Sequence, residues 1–200
     1  MNYLAHLYFA QPNADSHMGN LLGDFRKGAQ LGTYSQRIKL GLQNHYLVDK
    51  FTDSHPLIKQ AKQLFKKEHR RFSGIAIDVL FDHFLIAYWS TYQLKSDVTF
   101  NKFKTQSYHY LLVNKSIMPE RMQRVVTYMT TDDWFEQYRE LDGIARALIN
   151  IAKRIRFDND FHHIVDDVYL HYQTLDQIFH QFFPDLVAHV EQSSPEIIRV

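Results

Sequence analysis

The chain has 200 residues and no cysteine, and its 23 basic and 22 acidic side chains leave a formal net charge of +1. This length suits one domain, residues 1–200, with a buried core. The absence of cysteine excludes disulfides, thiolate nucleophiles and cysteine-bound zinc. Because 7 glycines and 5 prolines are few for a turn-rich β fold, composition favours long helices, and the balanced charge argues against a nucleic-acid-binding protein.

The N-terminal stretch lacks the pattern of a secretory signal. Residues 1–10 contain no positively charged segment, and His6 interrupts their apolar run. No uninterrupted apolar run in the chain approaches the length of a membrane span. We therefore expect a soluble, cytoplasmic protein that has no membrane partner.

Apolar residues recur at three- and four-residue spacing along most of the chain, and strand-type alternation is scarce. Asp15 and Ser16 are suited to cap the first long helix, and Pro56 suits the first turn of a later one. Pro184 is expected to end or kink the last helix. The predicted helices cover about 18–25, 35–51, 56–70, 73–89, 99–114, 119–130, 141–154 and 160–184. The prediction is an all-α fold, a single-domain helical bundle.

Two predicted helices carry carboxylates and imidazoles where a helical core usually holds apolar residues. Asp78, Asp82 and His83 lie in a segment that is apolar almost all round, and such a helix belongs in a core. His45 and Asp49 are four residues apart, so they share one helix face. An unpaired buried carboxylate is costly. We therefore expect these side chains to surround a cation, and a divalent metal is the simplest choice.

Other polar residues have a structural interpretation of comparable weight. Asp53 stands where its helix ends, so it fits a cap or turn as well as a ligand. Asp24 follows the glycine-containing segment 19–23, where the backbone can approach closely, but a helix cap or a surface position also suits it. His6 is a single histidine in an apolar stretch and by itself is best explained as a core residue.

Basic side chains are concentrated directly before the helix that carries Asp78. They are Lys59, Lys62, Lys66, Lys67, His69, Arg70 and Arg71. Such a run is usually a solvated face. Because it leads into the carboxylate-bearing helix, it would also border the site and attract an acidic macromolecule or a phosphate group. Arg26 and Lys27, just after Asp24, would add to this basic patch.

Four segments in strict order resemble the acyl carrier protein phosphodiesterase family. They are Asn2-x-Leu4-Ala5-His6-Leu7, Gly19-Asn20-Leu21-Leu22-Gly23-Asp24-Phe25, Phe51-Thr52-Asp53-Ser54-His55-Pro56 and Arg70-Arg71-x-x-Gly74-Ile75-x-x-Asp78-Val79-x-x-Asp82-His83-Phe84-Leu85. The resemblance spans about the first ninety residues. It implies an all-helical fold distantly related to HD-domain phosphohydrolases. It also implies a manganese-dependent reaction that removes 4'-phosphopantetheine from holo-acyl carrier protein and leaves the apo-protein.

The same resemblance implies a set of site residues. The expected metal ligands are Asp24, His45, Asp49, Asp82 and His83. The expected catalytic residues are Asp24, His83 and His6, with His83 or His6 protonating the leaving serine oxygen or orienting the nucleophile. The expected contacts to the acidic carrier protein are Lys62, Lys66, Arg70 and Arg71. Mn²⁺ is the expected ion, with Fe²⁺, Mg²⁺ or Zn²⁺ as alternatives.

The chain departs from the family pattern at two points. Tyr46 follows His45, where the family usually shows a His-Arg pair. Asp82 and His83 read in the reverse order of the His-Asp doublet of ordinary HD domains.

Two other functions are compatible with these residues. One is a metal phosphohydrolase acting on a nucleotide or another small phosphoester, and the other is a non-catalytic helical protein that binds an acidic partner. The sequence leaves open the number of metal ions, the oligomeric state and whether acylated carrier protein is also cleaved.

Overall fold

The structure is a computed structural model that describes residues 1–92, 98–153 and 163–197. Within these ranges the chain forms helices joined by turns, without a β-strand, so the all-α prediction is confirmed. The helices are α1 Tyr3–Tyr8, α2 Ala14–Leu22, α3 Gln36–Ser54, α4 Pro56–Leu64, α5 Ser73–Ala87, α6 Trp89–Tyr92, α7 Phe100–Val113, α8 Glu120–Thr131, α9 Trp134–Gln137, α10 Leu141–Ala152 and α11 Ile164–Ser193. Short 3-10 turns cover Gly23–Phe25, Arg70–Phe72 and Lys115–Ile117.

Two predicted helix ends lie elsewhere in the structure. The cap of α2 is Asn13, whose side chain accepts a hydrogen bond from the Ser16 backbone N–H at 2.9 Å, so the prediction of Asp15 and Ser16 as caps is wrong. Helix α4 ends at Leu64, not near Arg70. There Phe65 adopts an extended backbone conformation and buries its ring in the core.

Helix α11 continues nine residues beyond Pro184 and ends at Ser193. A proline in a helix interior removes one hydrogen bond, here to the carbonyl of His180. Phe182, Phe183 and Leu186 are fully buried around this position. Their packing outweighs the lost bond, so the proline does not end the helix. The expected start of this helix near residue 160 lies outside the described residues.

Helix α5 is the central element of the core, as its apolar sequence predicts. It contacts α1, α4, α10 and α11. The rings of Phe81 and Phe84 lie 5.2 and 5.6 Å from that of Phe179 on α11, measured between centroids. Each fully buried aromatic side chain contributes about 1.5–3 kcal/mol through burial. This packing fixes α5 and α11 relative to each other.

Helices α2 and α3 cross at two glycines. A Cβ atom on Gly19 would lie 2.4 Å from the carbonyl oxygen of Ile38, and one on Gly41 would lie 2.9 Å from that of Ser16. Only glycine allows such close approach of two backbones. The crossing brings the end of α2 beside the middle of α3.

None of the described helices combines the length and the apolar content that a membrane span requires.

Candidate metal centre

His45 and Asp49 on α3 and His6 on α1 form a compact group of potential metal ligands. The Nε2 atom of His45 lies 2.9 Å from Asp49 Oδ2, and that of His6 lies 3.2 Å from Asp49 Oδ1. One ligand atom from each residue falls within 4.8 Å of the others. The two imidazole rings stack with 3.9 Å between centroids. In the part of the chain that the structure describes, this is the one such group of three.

The end of α2 fixes the orientation of the His45 ring. Its Nδ1 atom lies 2.8 Å from the backbone carbonyl oxygen of Asn20. Because a carbonyl can only accept a hydrogen bond, Nδ1 carries a proton, and Nε2, which faces Asp49, is the nitrogen left to bind a metal once it is deprotonated. A Cβ atom on Gly23 would lie 2.0 Å from the His45 ring. The ring therefore occupies its position only because residue 23 is glycine.

His6 reaches the group from α1 and is completely buried. Its Nε2 atom also lies 3.1 Å from the Met1 carbonyl oxygen. Its Nδ1 atom is buried and has no hydrogen-bond partner within the described ranges, which is uncommon for a buried polar atom. Burial, together with the nearby His45, lowers the pKa of His6 to about 3. The ring is therefore neutral at pH 7, and the neutral form is the one that binds metals.

The other two members of the group, Asp49 and His45, shift each other's pKa in opposite directions. Burial works against ionisation of both, but hydrogen bonds from His45 and His6 hold the pKa of Asp49 below its ordinary value. In turn Asp49, with a smaller contribution from Asp24, raises the pKa of His45 against the effect of burial. Asp49 is thus an anionic carboxylate between two imidazoles, and this donor set fits a divalent transition metal.

The surroundings of the group are negatively charged and already hold one cation. The Met1 ammonium lies 3.4 Å from Asp49 Oδ1 and 3.3 Å from Asp78 Oδ1. Burial alone would lower the pKa of this ammonium, but Asp78 and Asp49 raise it to about 10. A position between these carboxylates therefore favours positive charge.

Asp24 lies on the rim of the group, in the 3-10 turn that follows α2. Its side chain is exposed, and its carboxylate has no hydrogen bond or ion pair within the residues described. Although the residue is exposed as a whole, neighbouring protein atoms partly desolvate its carboxylate; this desolvation, with repulsion from Asp49 and Asp78, raises its pKa, while His45 opposes the shift. Asp24 is thus a free carboxylate beside the ligands.

Asp82 has a different place in the structure. Its carboxylate accepts hydrogen bonds from the Leu4 and Ala5 backbone N–H groups, both at 3.0 Å, and from Asn2 Nδ2 at 2.9 Å. Burial raises the pKa of Asp82 to about 7, although the three hydrogen bonds lower it. Both oxygens are engaged in capping the first turn of α1. Asp82 therefore supports the helix that carries His6, and we do not retain it among the ligands.

His83 faces away from the group. Its Nδ1 atom lies 2.8 Å from the Tyr138 carbonyl oxygen, and its Nε2 atom lies 2.8 Å from the Tyr172 hydroxyl. Adjacent residues of a helix point in directions about 100° apart, and these two bonds hold the His83 ring on a side of α5 different from that of the Asp82 carboxylate. With both ring nitrogens engaged elsewhere, His83 is not brought to the metal centre.

The basic residues expected to contact a partner lie beside α3. Lys62 Nζ is 3.2 Å from Asp53, which follows Asp49 by one helical turn. Lys66, Arg70 and Arg71 are exposed. His69, from the same run, is buried against Asp167 at 2.6 Å and does not belong to this surface. The patch thus borders the metal centre on one side.

Arg26 and Tyr46 form a contact that their sequence positions do not reveal. Arg26 Nη1 donates a hydrogen bond to the Tyr46 hydroxyl at 2.6 Å, and the Tyr46 ring lies edge-on to that of His45, with 5.6 Å between centroids. Arg26 is exposed and has no carboxylate partner among the residues described. A guanidinium is therefore held at the rim of the metal centre, two residues after Asp24.

The fold and this site define a class: an all-α protein with a buried His-His-Asp group suited to a divalent metal. A family model described as acyl carrier protein phosphodiesterase matches residues 1–186. The chain belongs to the acyl carrier protein phosphodiesterase family.

Curated relatives carry the same description over nearly their full length. The acyl carrier protein phosphodiesterase of Yersinia enterocolitica is 36% identical over 195 residues, covering 96% of this chain and 98% of the relative. That of Pectobacterium atrosepticum is 36% identical over 187 residues, with 94% and 96% covered. That of Escherichia coli is 30% identical over 194 residues, with 97% and 100% covered. No solved structure shows a significant match.

Proposed function

We propose that this protein hydrolyses the phosphodiester that joins 4'-phosphopantetheine to a serine of holo-acyl carrier protein. The products are apo-acyl carrier protein and free 4'-phosphopantetheine. The family membership supports the substrate and the reaction, and the His6–His45–Asp49 group supports a hydrolytic site. The observation that carries the proposal is the position of this group beside an unpaired carboxylate, Asp24, and an exposed guanidinium, Arg26.

We propose His6, His45 and Asp49 as metal ligands, with Asp24 as a carboxylate able to complete the set. Two imidazole nitrogens and carboxylate oxygens suit Mn²⁺, Fe²⁺ or Zn²⁺, whereas Mg²⁺ prefers oxygen ligands alone, and the family resemblance favours Mn²⁺ among them. A bound divalent ion would supply Lewis acidity at the phosphoryl group and lower the pKa of water. The distant relationship to HD-domain phosphohydrolases remains part of this proposal.

Residues of the protein carry out the proton transfer and bind the phosphate. The raised pKa of Asp24 brings this carboxylate closer to the value that suits proton transfer near neutral pH. Asp24 accepts a proton from the attacking water, the new bond forms between that water oxygen and phosphorus, and the bond to the serine oxygen breaks. The serine oxygen takes up a proton from solvent. Arg26 binds a non-bridging phosphate oxygen, a pairing that the planar guanidinium favours.

We propose Lys62, Lys66, Arg70 and Arg71 as the surface that meets the acidic carrier protein. The patch borders the metal centre through the contact of Lys62 with Asp53. Charges at the rim of an interface mainly raise the association rate.

We also propose that residues 1–200 act as one domain and that the location is cytoplasmic, because a sequence without cysteine suits a reducing compartment.

Intact mass spectrometry of holo-acyl carrier protein tests the reaction. Metal-free protein is incubated with this substrate, with and without Mn²⁺. Loss of the phosphopantetheine mass is expected only with the ion, and Asp49→Ala and His6→Gln are expected to lower the rate at least 100-fold and to abolish Mn²⁺ binding in calorimetry.

His83→Gln is the matched control, because it also replaces a buried histidine but lies outside the ligand group. It is expected to bind Mn²⁺ normally. An unchanged substrate mass with every divalent ion tried would contradict the proposed reaction. Turnover of small phosphodiesters without turnover of the carrier protein would point to another substrate class.

A further inference from the structure

A cleft of about 290 Å³ opens between the N-terminal segment and helices α8, α9 and α10. Asn2, Tyr3 and Trp134 are among its lining residues. Asn150 and Ala147 on α10 lie among the other lining residues. Its volume is at the small end of ligand sites, which span about 300–1,000 Å³. The cleft therefore suits a slender molecule better than a large planar one.

Two lining residues of the cleft, Asn2 and Tyr3, belong to the N-terminal segment that also reaches the metal centre. Asn2 directly follows Met1, whose ammonium lies 3.4 Å from Asp49. The Tyr3 ring lies between two others: its centroid is 6.1 Å from that of Phe25 and 6.3 Å from that of Trp134. Phe25 is the neighbour of Asp24 in the chain. Residues 1–3 therefore link the cleft to the metal centre, and a long, flexible ligand is the kind that spans both.

The lining combines aromatic rings with side-chain amides. Tyr3 and Trp134 provide apolar surface, whereas Gln137 and Asn150 each offer a hydrogen-bond donor and an acceptor. The charges of Arg146 and Asp132 cancel. This chemistry matches an uncharged, flexible chain with methyl groups and amides. It does not match a second phosphate, which would favour an excess of positive charge.

We propose that this cleft binds the pantetheine arm of the substrate while its phosphodiester lies at the metal centre. The inference rests on the proposed function, because that reaction requires a site for the arm. The amides of the arm bond to Asn150 and Gln137, and its methyl groups contact Tyr3 and Trp134. The cleft thus selects for the prosthetic group, whereas the basic patch recognises the carrier protein.

Calorimetric titration of metal-free protein with pantetheine, which lacks the phosphate, tests the cleft without any catalysis. Ala147→Phe places a ring in the cleft, and Asn150→Leu removes an amide from an exposed position. Both are expected to weaken pantetheine binding at least tenfold. Ile149→Phe adds bulk to the same helix at a residue outside the lining, 37% exposed, and is expected to bind as the parent does.

Kinetics with holo-acyl carrier protein provide the second measurement. The two cleft variants are expected to raise KM at least fivefold with Mn²⁺ affinity unchanged. Absence of pantetheine binding by the parent protein, or equal binding by all three variants, would overturn the inference. A failure of the proposed function is measured separately. In that case the unmodified protein would not remove the phosphopantetheine mass from the carrier protein.

Discussion

Arg26 and Tyr46 illustrate how two unremarkable surface residues acquire a role through one hydrogen bond. The Tyr46 hydroxyl accepts a bond from the Arg26 guanidinium and lies beside the His45 ring. Holding a long side chain in one geometry reduces the entropy lost when it binds a ligand. This contact holds the guanidinium at the rim of the candidate metal centre, where we expect it to meet the phosphate of the substrate.

Replacing Arg26 with glutamine is expected to lower kcat/KM for holo-acyl carrier protein roughly 30-fold. This corresponds to the loss of about 2 kcal/mol, the typical value for a hydrogen bond to a charged group. Affinity for 4'-phosphopantetheine should fall by a similar factor, and affinity for pantetheine should not change.

Lys27→Gln is the control, since it makes the same change of charge at the adjacent exposed residue. It should alter kcat/KM less than threefold. If the two substitutions had equal effects, Arg26 would act only through long-range electrostatic attraction. That result would contradict a direct contact between Arg26 and the phosphate.

At the same scale, Asp82 and His83 show the limit of arguing from residue type. Both are buried polar residues in an apolar helix, and burial of such groups requires partners. The sequence indicates that partners exist but does not say which. For Asp82 they are the N–H groups at the start of α1, and for His83 they are Tyr138 and Tyr172.

At the scale of helices, the crossing of α2 and α3 positions His45 in the candidate metal centre. The close contact at Gly19 and Gly41 brings the Asn20 carbonyl and the Gly23 backbone against His45. Glycine within a helix is otherwise unfavourable by about 1 kcal/mol relative to alanine. The glycines of this segment are therefore explained by the close contacts they allow and not by helix propensity.

Gly23→Ala is expected to weaken Mn²⁺ binding at least tenfold while the helical content stays the same. The added methyl group would lie 2.0 Å from the His45 ring, so the ring must turn away from Asp49. Calorimetric titration with Mn²⁺ and circular dichroism measure the two quantities.

Gly32→Ala is the matched control, because a Cβ atom there meets no other atom within 4 Å. It should leave Mn²⁺ affinity unchanged. Normal affinity in Gly23→Ala would show that His45 does not need its present orientation to bind the ion.

At the scale of the whole molecule, a nearly neutral protein carries charge of both signs in adjacent regions. The carboxylates around Met1 favour a cation, and the basic patch on α4 and the following turn faces solvent beside them. A net charge of +1 does not reveal this separation. Attraction of an acidic macromolecule depends on the local field and weakens as salt is added.

Reversing two charges of the patch, in Lys66→Glu with Arg70→Glu, is expected to raise KM for holo-acyl carrier protein roughly tenfold. The dependence of KM on salt should flatten, and kcat should change little, because these residues contribute mainly to association. Steady-state kinetics at several salt concentrations measure both effects.

Lys115→Glu with Arg124→Glu makes the same change of net charge on another surface and serves as the control. If both pairs raised KM equally, the effect would come from total charge and not from the patch.

Much of this architecture follows from the sequence alone, for identifiable reasons. Periodicity and the scarcity of glycine and proline predict the all-α fold, because the pattern within a helix is local. The i, i+4 spacing of His45 and Asp49 predicts that they act together, because it depends only on helix geometry. Four ordered segments in the first ninety residues indicate the family.

The tertiary structure alone decided which polar residues meet. His6 joins His45 and Asp49 because α1 is fixed beside α5 by Asp82, a contact that spans almost eighty residues of sequence. His83 turns away because its ring nitrogens contact the Tyr138 carbonyl and the Tyr172 hydroxyl. Pro184 lies inside a helix because the surrounding aromatic core outweighs one missing hydrogen bond. Local spacing determines which residues share a helix face, but only the packing of helices determines what that face contacts.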